Sequence, residues 1–545
     1  MEKHHSSLKI TALGIFFIAL LPSLPLFIKG IHLGHDWAFH FLRIESLAQG
    51  LQNGVFPIRL NSLLFNNHGY PASIFYGDLL LYFPALLRLI HIAPITTYKI
   101  YILFINVLSV VIAYFSFYKI SKSKRCAWFA SAAYVCAHYR LLDIYIRSAL
   151  GEYTAIAFFP LIALALWRIY VENKTNFHTV LLLSFSMLVL LYTHILSTQW
   201  AAFFIILIAL FFYKKTFTCS VLKVYFHSFL IFIFIGASFI IPFLDYYFNT
   251  QTNIRFINEH VRYNLQDTGV FPADYFAVFH NPFGEYSLIV NQKFALTPGF
   301  LLILVLIYSV YLIIQKKAQK TIQFFTFFSI FLLFLGSDIF PWRFFTHPLF
   351  TSLQAPMRLL GFAILFLALL FCFVLKQTKK QNDFLIACIL LTTHFAFLSH
   401  YFDHAQNEIP TLETMQKKHF ADEYLFFGLN SDMAKETFQT QAHNMKIHFL
   451  KEKGVDLHLN VQTDGQAYVD LPRFNYPYYV AHNHQGQLFS LSDNHNFRLR
   501  LLIPMGYEGD VFIRFSPPFW WRMAEFISLF SLLFVCWKIF KKNRG

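Results

Sequence analysis

Charge is scarce in this 545-residue sequence: 13% of positions are Asp, Glu, Lys or Arg, against roughly 25% in an ordinary soluble chain. With 57% of residues hydrophobic and 19% aromatic, a soluble fold with a hydrated charged surface is excluded. Acid is scarcer than base, 29 residues against 44, and the formal charge is +15. That excess does not mark a nucleic-acid binder. The basic residues fall in short clusters between apolar runs, as they do in the cytoplasmic loops of membrane proteins. Cysteine is confined to Cys126, Cys136, Cys219, Cys372, Cys388 and Cys536, without paired spacing, so neither disulfides nor a thiolate metal site is expected. No Walker loop, Rossmann glycine pattern or Ser/His/Asp arrangement occurs, which removes nucleotide-driven transport and the common hydrolases. The first apolar run has no small-residue cleavage site after it and reads as a retained helix.

Apolar length is what the chain has in abundance. Runs near 8–29, 98–118, 125–139, 153–171, 179–196, 199–213, 222–243, 297–315, 320–336, 357–375, 383–400 and 518–540 approach the roughly 20 apolar residues of a membrane helix. A thirteenth run, 79–92, is shorter and holds Pro84, Arg88 and His91. If it does not span, the basic loops, among them "YKISKSKR", "QKKAQK" and "KQTKKQ", share one side with the "KKNRG" tail. If it does, the positive-inside bias reverses. It is therefore expected to be a helix lying in the outer interface or dipping into it. The fold expected is a polytopic α-helical membrane protein of about 12 transmembrane helices, with both termini in the cytoplasm.

The polar segments then gather on the outer face: 30–97, the "RSALGEY" turn, "YTHILSTQ", 244–296, 336–358 and 401–517. The last alternates with period two in "KIHFLKEKGVDLHLNVQ" and "NFRLRLLIPMGYEGDVFIRF", with "TDGQ" and "NHQGQ" read as turns. This predicts an extracytoplasmic β-sandwich. Three regions follow: a membrane domain over 1–400 whose outer loop 30–97 holds interfacial helices, a β-rich domain over 401–517, and a final helix with a basic tail over 518–545. In "DWAFHFLRIESLAQG" the residues Trp37, Phe41, Ile44 and Leu47 or Ala48 stand at helical spacing, as in a helix lying along a membrane surface. Asp36 opens it, where the helix dipole favours a carboxylate. It is either a cap or an acid facing a cavity, and the two roles are compatible.

A first span, an outer loop with an acid close behind it, two interfacial helices and a second span form a layout that resembles the GT-C superfamily of membrane glycosyltransferases. More narrowly, the chain resembles the YfhO-type and "6-pyruvoyl-tetrahydropterin-synthase-related" bacterial membrane proteins. The resemblance rests on "GHDWAFHFLRIESLAQGLQNGVFPIRL", "HGYPASIFYGDLLLYFPALL", "RSALGEYTAIAFFPLIAL", "LQAPMRLLGF" and "RFNYPYYVAHNHQG…LLIPMGYEGDVFIRF", in this order along the chain. It implies inverting transfer of a sugar from a polyprenyl-phosphate-linked donor to a cell-envelope glycan, lipid or protein, at the outer face of a bacterial plasma membrane. Asp36 takes the role of general base, which suits a carboxylate partly withdrawn from water, and Glu152 that of a second active-site acid. His35 and His40 orient the base, contact phosphate, or are headgroup-level histidines.

Holding phosphate calls for arginine, and Arg43, Arg59, Arg140, Arg147 and Arg358 stand near expected outer helix ends. Arg358 closes "QAPMR", an altered form of a family element, and either binds phosphate or snorkels. Arg147 and Glu152 either serve the site or tie two helices together. The paired acids of metal-using branches are missing from the first loop, so no metal and no other cofactor is expected. Two other readings stand beside this one. A transporter or flippase for lipid-linked glycans would carry ionisable residues or helix breaks near mid-membrane. A non-catalytic scaffold would bind glycans through its exported β-domain. Membrane lipids are partners in all three readings, and nucleic acid in none.

Overall fold

The computed structural model describes residues 2–261, 264–278, 294–404, 407–418, 422–436, 440–494 and 496–544. Residues 279–293 of the expected outer loop 244–296 lie outside them. The chain forms two compact units, the first comprising Met1–Trp37, Tyr98–Phe229 and Asn258–Ile409, the second Ala38–Thr97, Leu230–Ile257 and Pro410–Gly545.

Apolar helices build the first unit. Its hub is Leu360–Gln377, whose residues from Leu360 to Leu375 are all buried. The sequence "LGFAILFLALLFCFVL" has no polar stripe, so neighbours pack on every side of it. Helices Lys124–Val135, Phe300–Ile314 and Lys320–Gly336 do so.

Across the described residues, six helices are long and apolar enough to cross a membrane: Pro94–Ser121, Leu150–Tyr170, Cys219–Asn249, Pro356–Gln377, Lys380–Asp403 and Phe519–Lys541. This corrects the expected count of about 12. Several other expected spans are apolar helices of 10–17 residues, Phe177–Leu191 and Phe300–Ile314 among them. A helix of about 15 residues reaches only ~23 Å against a hydrocarbon core of ~30 Å. The shortening comes from caps set inside apolar runs. His194 starts the helix Ile195–Phe211 by accepting from the Ser197 amide, and the 125–139 run breaks at Cys136–Ala137 into Lys124–Val135 and His138–Tyr145. Within 79–92 the helix is Tyr82–Leu89, eight residues.

The second unit holds six antiparallel strands: β1 (Gln441–Lys453), β2 (Asp456–Phe474), β3 (Tyr479–His482), β4 (Leu488–Asp493), β5 (Arg498–Ile503) and β6 (Glu508–Phe515). They pair in the order β1-β2-β5-β4-β3-β6, and β6 pairs back onto β2. Five strands therefore close a ring and β1 lies along its outside. This corrects the expected sandwich to a small barrel. The reason lies in β2, which is 19 residues long. Its first part, Leu457–Gln462, pairs with β6 and its second, Ala467–Asp470, with β5. "TDGQ", expected as a turn, is the stretch within β2 where it changes partner, opposite the bulge at Asn444. "NHQGQ" does turn, with Gly486 at φ 81°. Alternate residues Leu457, Leu459 and Val461 of β2 and Val511 and Ile513 of β6 fill the barrel.

Part of the 30–97 loop docks on this unit's C-terminal segments. His68 donates from Nδ1 to the Ala434 carbonyl at 3.2 Å, and the Phe474 amide donates to the His68 carbonyl at 2.9 Å. Phe75 stacks on Tyr424 with ring centroids 4.7 Å apart.

Candidate acid–arginine site

In the first unit the helix His138–Tyr145 gives way to a tight turn before Leu150–Ile156. Ser148 takes φ 58° there, and the Ala149 amide bonds back to the Asp143 carbonyl at 2.9 Å. The turn brings together charges from both helices. Arg147 Nη1 donates to Asp143 Oδ1 at 2.6 Å, to Glu152 Oε2 at 3.3 Å and to the Tyr139 hydroxyl at 3.3 Å. The Tyr139 hydroxyl donates to Glu152 Oε1 at 2.6 Å. Side-chain exposure is 0% for Asp143 and 5% for both Arg147 and Glu152, so the network is dry and fixed.

Arg358, on the short helix Pro356–Leu359, approaches the same carboxylate with Nε 3.8 Å from Glu152 Oε2 and a side-chain exposure of 19%. That separation exceeds hydrogen-bond length, and Arg358 Nε is buried with no hydrogen-bond partner among the described residues. The strand-like segment before Asp36 lies against the turn. The Asp36 amide donates to the Arg147 carbonyl at 3.0 Å. Gly34 permits the approach, since a Cβ there would stand 2.2 Å from the Ile146 carbonyl oxygen. Asp36 is half-buried and close enough to act electrostatically on Arg147 and Asp143.

Three acids thus meet two arginines. Burial first, and then the charge of Glu152, pushes the Asp143 carboxyl well above the usual carboxylate range, against the pull of Arg147 and Arg358. Asp143 Oδ2 is buried without a hydrogen-bond partner among the described residues.

Of the other site residues expected from the sequence, His35 is exposed beside Asp36, close enough to feel the charges of Asp36 and Arg147. His40 and Arg43 belong to a buried network of the second unit, where Arg43 pairs with Asp78, donates to the Gly77 carbonyl at 3.0 Å and to His40 Nδ1 at 3.2 Å, and lies 4.3 Å over Tyr76. Arg59, also in the second unit, pairs with Glu525 at 2.8 Å and donates to the Ser238 carbonyl at 3.1 Å. Arg140 is fully buried in the first unit, donating to Asn106 at 3.2 Å and Ser109 at 2.7 Å and lying 4.3 Å over Tyr153. Sequence reasoning missed Asp143 and Tyr139. The signal for Asp143 was its place one helical turn before Arg147, where i and i+4 side chains meet.

A small cavity of about 10 Å³ adjoins the cluster, lined by Glu152, Arg358, His194, Ser197 and Trp200. A larger, almost wholly apolar one of about 670 Å³ runs along Ile162, Leu166, Ile208 and Phe324. Phe159 and Phe362 line both.

No protein-family model matches the chain. The chain is 24% identical over 337 residues to a protein of Lactococcus lactis subsp. cremoris (strain MG1363) that is described as uncharacterized, and the match covers 60% of this chain and 54% of that protein. No family assignment follows from this. The chain spans about half the length of the curated relative it matches.

Chemically the arrangement offers a fixed guanidinium in Arg147, an under-bonded one in Arg358, a half-buried carboxylate in Asp36 and an adjoining apolar cavity. A guanidinium without hydrogen-bonded partners is suited to an oxyanion. An apolar cavity of this volume takes a hydrocarbon chain.

Proposed function

We propose that the protein is a membrane glycosyltransferase of GT-C type, similar to the YfhO-like and 6-pyruvoyl-tetrahydropterin-synthase-related proteins. It transfers a sugar from a polyprenyl-phosphate-linked donor to a cell-envelope glycan, lipid or protein, with inversion. The observation that carries this reading is the Arg358 guanidinium, whose Nε has no hydrogen-bond partner among the described residues, standing beside Glu152 and next to an apolar cavity that shares Phe159 and Phe362 with the small space at the arginine. A donor with an anionic head and a hydrocarbon tail requires both. Arg358 holds the donor phosphate. Asp36 removes the acceptor hydroxyl's proton as the sugar leaves, and Glu152 keeps Arg147 and Arg358 in position. The site opens to the extracytoplasmic face of a bacterial plasma membrane, and both termini are cytoplasmic.

The test compares envelope glycans by mass spectrometry in wild type, a deletion strain and an Asp36→Asn strain at matched protein abundance. Loss of one sugar substituent in both mutants supports the transferase and identifies the sugar class by mass. Loss in the deletion alone removes Asp36 from the chemistry.

One observation favours a second reading, a transporter or flippase for lipid-linked glycans. Arg140 bonds to Asn106 and Ser109, which lie near the middle of the 28-residue helix Pro94–Ser121, and buried ionisable residues at mid-span mark transport paths. Translocation of a labelled lipid-linked sugar in proteoliposomes, lost in Arg140→Gln and kept in Asp36→Asn, would put this reading first.

A further inference from the structure

The outward face of the barrel carries a convergence of side chains unrelated to the acid–arginine site. On β2 the residues His458 and Asn460 alternate with the core positions Leu457, Leu459 and Val461, and on β6 Asp510 and Phe512 alternate with Val511 and Ile513. Because β2 and β6 pair with His458 opposite Phe512 and Asn460 opposite Asp510, all four outward side chains fall on one patch. The turn after β3 brings His484 to the same place.

His458 Nε2 stands 3.0 Å from Asp510 Oδ2, and His484 Nε2 stands 3.3 Å from the same oxygen. All three atoms lie within 4.8 Å of one another. For a tetrahedral zinc ion with bonds of about 2.0–2.1 Å, neighbouring ligand atoms are separated by about 3.3 Å. The two separations from Asp510 Oδ2, which are hydrogen bonds here, are close to that edge, and the third stays within 4.8 Å. The supporting contacts match as well. Asn460 Nδ2 donates to Asp510 Oδ1 at 2.8 Å, which fixes the carboxylate. Phe512 holds both rings, His458 stacked at 4.3 Å and His484 edge-on at 4.7 Å. Groups that orient ligands in this way raise metal affinity.

We propose that His458, His484 and Asp510 form a binding site for one divalent transition-metal ion of the zinc type. Two imidazoles and one carboxylate favour zinc and its neighbours over magnesium or calcium, which prefer all-oxygen sites. Three protein ligands leave a fourth position open to water or to an oxygen of a bound molecule. His484 belongs to the turn between β3 and β4, so the ion would clip that turn to strands β2 and β6. Both histidines must present a bare Nε2 to the metal, and their ring protons then sit on Nδ1.

The test uses the full chain purified in detergent, stripped with a chelator and dialysed against micromolar Zn²⁺. Bound zinc is measured by plasma mass spectrometry. Wild type should retain one equivalent more than the double variant His458→Ala/His484→Ala and more than Asp510→Asn. His448→Ala, an exposed histidine on β1, should match wild type. Equal zinc content in wild type and the double variant overturns the proposal. Zinc K-edge absorption of loaded wild type gives a readout that needs no variant. Two imidazole ligands support the site, and one or none refutes it.

Discussion

Acidification should loosen the docking of the 30–97 loop onto the C-terminal segments of the second unit, and His68 sets the magnitude. Its ring is buried, with 2% relative exposure, donates to the Ala434 carbonyl at 3.2 Å and meets the Phe474 ring edge-on at 5.4 Å. Burial, aided by the charges of Arg498 and Arg473, lowers its pKa from 6.5 to about 3. The docked form therefore excludes a proton that the undocked form binds. The stabilisation is complete above pH 6.5 and is lost progressively as pH falls toward 3. At pH 5 the undocked imidazole lies about 1.5 pH units below its ordinary value, which amounts to about 2 kcal/mol, or roughly 30-fold in the undocking equilibrium. Hydrogen exchange followed by mass spectrometry, corrected for intrinsic rates, should show this acceleration between pH 7 and pH 5 in peptides covering 61–76 and 422–436. In His68→Asn, which keeps a donor but cannot titrate, the pH dependence should vanish. Unchanged exchange at pH 5, or the same acceleration in His68→Asn, would refute the reasoning.

Arg358→Lys should keep the fold and lower kcat/KM with a polyprenyl-phosphate sugar about 10–100-fold, since a charge-assisted hydrogen bond contributes about 1.5–3 kcal/mol; unchanged kinetics would remove Arg358 from donor binding. Asp274 has its carboxyl raised to about 6 by burial and by Asp338. Its stabilising effect is therefore full below the unfolded pKa near 4 and is lost as pH rises through 6. The Val270 amide, bonded to the Gly336 carbonyl at 2.9 Å, should accordingly exchange faster at pH 7 than at pH 5 after intrinsic correction. Leu459→Ala empties a fully buried barrel position and should destabilise the second unit by about 2–5 kcal/mol, read as an earlier urea midpoint for β-strand exchange protection.

Hydropathy alone pointed to membrane helices, and period-two alternation to strands, because burial is written into the sequence one residue at a time. The helix count was not legible in the same way. His194 and the Cys136–Ala137 break sit inside apolar runs, and a cap is visible only once the backbone has turned. The barrel was misjudged for a related reason. Whether β2 keeps one partner or changes at Thr463–Gln466 depends on β5 and β6, more than 30 residues downstream. Local spacing did bring Arg147 and Glu152 together, and it also held Asp143 four residues before Arg147. That acid was overlooked because an isolated i,i+4 pair is usually a solvated helix face.

The arginines carry the sharper lesson, because sequence treated them as equals and packing does not. Arg43 finds Asp78 and Arg59 finds Glu525, 35 and 466 residues away, distances at which no spacing rule operates. Removing one partner from such a buried pair strands the other charge, at about 3–5 kcal/mol, so these guanidiniums are held where they are. Arg147 is held in the same way by Asp143 and Glu152. Arg358 differs. Its approach to Glu152 stops at 3.8 Å, it retains 19% exposure, and its Nε is buried without a hydrogen-bond partner among the described residues. A cation kept close to an acid, yet not hydrogen-bonded to it, has hydrogen bonds still to give to an incoming anion. On the function proposed above, Glu152 keeps Arg358 at the cavity wall without saturating it.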